Sequence, residues 1–153
     1  MTMSNPVTKA VIAALALVAL AAQQDLPQRP PGRFQATTKG LLKGTVAGDV
    51  SASAFRDGHR EIYLQMDSSQ MMATGILVSL QVTLPAGKAG PSFRLQVEDI
   101  RTHKLSTPPA TGTLDLKGTS MFSGSFSVTS TDTATPLTLS GSFDKAPLVQ
   151  AIE

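Results

Sequence analysis

The chain has 153 residues, no cysteine, no tryptophan, one tyrosine and six phenylalanines, with 13 Lys and Arg against 11 Asp and Glu. Disulfide scaffolds and thiol chemistry are excluded outright. Near-balanced, interspersed charge gives neither the basic footprint of a nucleic-acid binder nor a polybasic membrane patch, and so few aromatics offer no platform for stacked bases.

The chain opens with MTMSNPVTKAVIAALALVALAAQQDLPQ, in which Lys9 precedes an apolar run from Val11 to Ala22. A basic start, a short apolar core and small residues at its end form the pattern of a secretory signal. Ala19-Leu20-Ala21 fits the cleavage rule, so residues 1–21 are expected to be removed and the exported chain to begin near Ala22. The run is too short for a spanning helix, which needs about 20 apolar residues. No Cys follows it to take a lipid, so the mature chain is expected not to span or anchor in a membrane. The export signal places it in a periplasmic or extracellular setting.

Residues 22–33 include Pro27, Pro30 and Pro31 and read as an extended, Pro-rich leader. Residues 34–153 then suit one domain. RFQATT near Phe34 is a weak strand. In TVAGDVSASAF, Val46, Gly48, Val50, Ala52 and Ala54 share one face. Asp57-Gly58 supplies positive φ for a tight hairpin, and EIYLQM returns with Ile62, Leu64 and Met66 inward. MDSSQMMATG is a connection. ILVSLQVTL sets Ile76, Val78, Leu80, Val82 and Leu84 on one face, and after the turn PAGKAGP, SFRLQVED alternates Phe93, Leu95 and Val97 with Arg94, Gln96 and Glu98. RTHKLSTPPA breaks the pattern, and Pro108-Pro109 rules out a central strand there.

TGTLDLKG, MFSGSFSVT and LTLSGSF complete the chain, and the last two each contain Ser-Gly-Ser-Phe, at Ser123–Phe126 and Ser140–Phe143. Alternation turns Gly124, Phe126, Gly141 and Phe143 inward and the serines outward. An inward glycine leaves a gap or lets a sheet coil, and a neighbouring phenyl ring can cover it. The repeat is therefore packing on two adjacent antiparallel strands. With about seven or eight short strands, short connections and no long helical period, the fold class is all-β: an antiparallel meander forming a sandwich or flattened barrel.

Chemistry is sparse. No G-x-S-x-G elbow occurs, and Ser123, Ser125, Ser140 and Ser142 fall on a solvated face. His59 sits in the hairpin turn. His103, near Glu98 and Asp99, is the one residue with acidic neighbours able to orient an imidazole or join it in a metal site. Met66, Met71 and Met72 are soft donors for Cu(I) in principle, but they read as a core residue and an edge-covering pair. Glu61, Asp67, Glu98, Asp99 and Asp115 lie on strand surfaces or in loops rather than facing across a cleft. No catalytic residue, metal ligand or cofactor site is therefore expected, and the chain is not expected to be an enzyme.

The stretch GTLDLKGTSMFSGSFSV with PLTLSGSFDKAPL resembles the C-terminal strands of small exported bacterial all-β proteins of uncharacterised function. In those, a Gly-Thr-Leu strand and two S-G-S/T-F strands close the domain. The resemblance covers Gly112–Leu148 and implies an antiparallel sandwich or barrel with no catalytic residues; the terminal Cys of that pattern is absent. Two roles follow for the domain. The first is an envelope or secreted module that engages a protein partner through loops or a strand edge. The second is a lipocalin-like small barrel carrying an apolar ligand, with Gly48, Ala52, Ala54, Gly124 and Gly141 leaving room inside. An enzyme or metal site around His103 comes third.

Overall fold

A computed structural model describes residues 31–150; the expected signal, most of the leader and the last three residues lie outside the described residues. The elements are β1 (Gly32–Gly40), β2 (Gly44–Ala54), β3 (Arg60–Met66), α1 (Ser68–Thr74), β4 (Ile76–Leu84), β5 (Ser92–Asp99), β6 (Lys104–Ser106), β7 (Ala110–Lys117), β8 (Met121–Ser130) and β9 (Leu137–Gln150). The fold is all-β, as expected, and the described residues form nine strands in one sheet ordered β6-β5-β4-β3-β2-β1-β9-β8-β7. Every neighbouring pair is antiparallel. Phe34, Ile62, Leu80, Leu95, Phe122, Val128 and Leu139 all belong to one buried cluster. Strands as far apart in the order as β5 and β8 share that cluster, so the sheet curls until one face meets itself.

Four details differ from the sequence reading. The weak first strand, β1, begins at Gly32, inside the expected leader, and is paired on both sides, with β2 and β9. Beyond its first residue, Ala52–Ala54 of β2 meet Leu148–Gln150 of β9 directly, in parallel. The connection after Met66 holds the helical turn α1, and the broken stretch after His103 holds the three-residue β6. In the β2–β3 hairpin only Gly58 takes positive φ (92°), and its N–H closes a turn on the Phe55 carbonyl at 3.0 Å.

The last strand also runs past Phe143. Between the pairs Phe122↔Ala146 and Gly124↔Phe143, β9 holds two residues against one on β8, which is a bulge. Lys145 absorbs it with φ 60°, and Ser123 donates its hydroxyl to Asp144 at 2.5 Å. Phe143 and Ala146 both stay inward as a result, at 3% and 0% exposure.

The sheet does not close. An antiparallel bridge joins Arg94 to Pro109. Counting three residues along each strand from the pair Val97↔Ser106 reaches that same bridge, so β5 and the chain from β6 into β7 keep one register. The ladder fails between those points, where Pro108 brings no N–H. The chain then leaves β5 and continues as β7 against β8.

Candidate functional site

The repeated tetrapeptides align so that each glycine meets the other copy's phenylalanine: Gly124↔Phe143 and Phe126↔Gly141. Gly48 lies opposite Phe34 in the same way. A β-carbon on Gly124 would collide with the Asp115 carbonyl oxygen and sit 3.1 Å from the Phe143 ring, and one on Gly141 would strike the Gln35 carbonyl oxygen. The Phe34 and Phe143 rings each lie 6.4 Å from Phe126, forming a connected aromatic cluster. The inward glycines are places where backbone and rings come close.

The outer face carries the hydroxyls. Ser125 lies opposite Ser142 and Ser127 opposite Ser140, whose hydroxyl oxygens are 3.0 Å apart. Among the described residues no histidine hydrogen bonds to any of these serines.

His103 is exposed in the β5–β6 turn, where it takes the left-handed conformation at φ 56°. Asp99 spends its carboxylate on that turn, accepting from the Arg101 N–H at 3.0 Å. Glu98 lies in the ladder opposite Leu77 and Leu105. No hydrogen bond or ion pair among the described residues joins His103 to either acid. Met66 is core at 3% exposure, whereas Met72 lies 71% exposed on α1 rather than covering an edge. Among the described residues, no group of three His, Cys, Asp or Glu is placed to hold a metal ion.

Two polar clusters escaped the sequence reading. In the β2–β3 hairpin, His59 stacks on Phe55 with ring centroids 4.2 Å apart. Its Nδ1 meets Asp57 and its Nε2 lies 3.5 Å from Glu61. The His59 backbone N–H and ring together hold the Asp57 carboxyl below its ordinary range. The cluster fastens a turn. Its one weak sequence signal was the spacing Asp57-x-His59-x-Glu61 across a predicted hairpin.

The second cluster joins β1, β2 and the start of α1. Arg33 donates Nη1 to Asp49 at 2.8 Å and forks onto Asp67 at 2.7 and 2.6 Å. Those hydrogen bonds lower the Asp67 carboxyl and raise the Arg33 guanidinium. Beside it lies an open groove of about 350 Å³ lined by Asp49, Ser51, Tyr63, Gln65 and Asp67. Asp49 and Asp67 are already engaged by Arg33, and the Tyr63 hydroxyl donates to Gln65 at 3.2 Å. Neither histidine lines this groove.

No protein-family model, curated protein or solved structure matches the chain.

Proposed function

We propose that this chain is an exported, non-catalytic β-domain acting in the cell envelope or outside the cell as an interaction or structural module. The observation that carries this reading is the filled interior. Each inward glycine on β2, β8 and β9 faces a phenyl ring, which argues for a packed core in place of a ligand chamber. Function then belongs to the outer surface and the strand edges. The separated histidines and unactivated hydroxyls support a non-catalytic role. The export signal at 1–21 supports the location, and the recovered protein should begin near Ala22 on N-terminal sequencing.

The reading is tested by titrating an environment-sensitive apolar dye into wild type, Gly124→Leu and His103→Ala, and melting all three. A packed module shows no saturable dye binding, and the leucine is destabilised because its β-carbon meets the Asp115 carbonyl. Saturable binding lost only in a stable Gly124→Leu would instead establish the carrier. A hydrolytic or metal-dependent activity abolished by His103→Ala would overturn both.

A further inference from the structure

The two ends of the open sheet are unlike. One end is β6, only three residues long and followed by two prolines, which blunts it as a template. The other end is β7, eight residues long and largely exposed. From the Arg94↔Pro109 bridge, two further residues along each strand bring Thr111 level with Ser92, the first residue of β5. Among the described residues, nothing pairs with the outer edge of Gly112–Lys117.

We propose that this edge pairs antiparallel with the same edge of a second copy, in the register that puts Leu114 opposite Leu114 of the other copy. The inference rests on the interaction-module reading above. Side chains directly opposite in an antiparallel pair lie on one face, so a two-fold axis keeping core residues against core residues must pass through a residue. An axis at Asp115 or Lys117 sets like charges against each other, and one at Leu116 carries the pairing into the β7–β8 turn. An axis at Leu114 keeps the pairing within β7. It places Thr113 against Asp115, a hydroxyl against a carboxylate, and Gly112 against Leu116, a bare backbone against a large side chain. Leu114 and Leu116 are only partly buried in one copy, and the second copy completes their cover.

A single strand pair buries far less than a standard protein interface, so the dimer is weak, with Kd on the order of 0.1 mM. Sedimentation equilibrium of the purified full chain across that range tests it, using wild type, Thr113→Asp and Thr113→Lys. Thr113 is exposed, so both variants should melt like wild type. Thr113→Asp places two carboxylate pairs face to face and should weaken association about tenfold, while Thr113→Lys faces Asp115 twice and should tighten it by a similar factor at low salt only. A wild type that stays monomeric throughout, while still binding no dye, overturns the dimer and leaves the module reading standing. Equal association in all three proteins, as self-association through the N-terminal apolar run would give, also overturns it. So do shifts of the same sign in both variants.

Discussion

Gly124 lies directly opposite Phe143 across the β8–β9 ladder, and its missing side chain is what lets the ring settle against the sheet. Phe143 is 3% exposed and touches the ring system that also holds Phe126 and Phe34. Phe143→Ala should therefore cost about 3–5 kcal/mol, the range for large core aromatics. Ser125→Thr, one position from Gly124 but on the solvated face, should change stability by no more than about 0.5 kcal/mol. Urea melts of the two variants measure both, and equal losses would mean that the inward and outward faces are wrongly assigned.

The same ladder shows what the residues made legible. Strict alternation placed Ile62, Leu64, Val78, Leu95, Phe126 and Leu139 inside, and all are buried. Alternation fails where geometry departs from period two. The bulge at Asp144-Lys145 shifts the inward set by one, so Phe143 and Ala146 are both core and the alternation breaks before the strand ends. β1 looked weak because Gln35, Thr37 and Lys39 are polar, yet its other face carries Phe34, Ala36 and Thr38 into the core. Ion pairs were out of reach. Arg33 and Asp67 are far apart in sequence and meet only because β1, β2 and β3 are neighbours.

Gln70 offers a test of the short helix. β3 stops pairing with β2 at Gly48↔Met66, which leaves part of the β2 edge uncovered. The Gln70 side chain takes over, accepting from the Ala47 N–H at 2.7 Å and donating to the Thr45 carbonyl at 3.4 Å. Gln70→Ala should cost about 1–2 kcal/mol, the penalty for a partly buried donor left unpaired. Gln70→Glu keeps the acceptor and should recover most of that loss above pH 5. If alanine proves neutral in thermal melts, α1 does not protect the edge.

The Arg33 fork predicts a pH dependence of definite sign. Asp67 is held below its ordinary value by the guanidinium, so its contribution is present above the unfolded carboxyl value and is lost as pH falls through the lower folded one. Both partners are partly solvated, with side-chain exposures of 54% and 30%, which keeps the effect small. Wild type should exceed Asp67→Asn by about 0.5–1 kcal/mol at pH 7. The gap should close below about pH 4 as the carboxylate protonates. A gap that persists at pH 2.5 would assign the effect of the substitution to packing, not to the ion pair.

The open seam should be closable by chemistry alone. Asp99↔Lys104 and Arg94↔Pro109 belong to one register, so the residues between them already face each other at the right offset. What the chain lacks there is one donor, because Pro108 carries no N–H, while Pro109 turns its backbone to β8, its carbonyl accepting from the Thr131 N–H at 2.9 Å. Pro108→Val returns that donor opposite Leu95. The restored ladder bond contributes about 0.5–1.5 kcal/mol, while the lost proline restores unfolded-state freedom of about 0.4–1 kcal/mol. The two effects nearly cancel, so a melt will not discriminate and hydrogen exchange will. The amide introduced at position 108 should exchange slowly, held by the carbonyl of Leu95, its partner in the register. Fast exchange there would show that side chains, not a missing donor, hold β5 and β7 apart. The edge at Gly112–Lys117 lies beyond the zipped segment in either case, so self-association should be the same in the variant as in wild type.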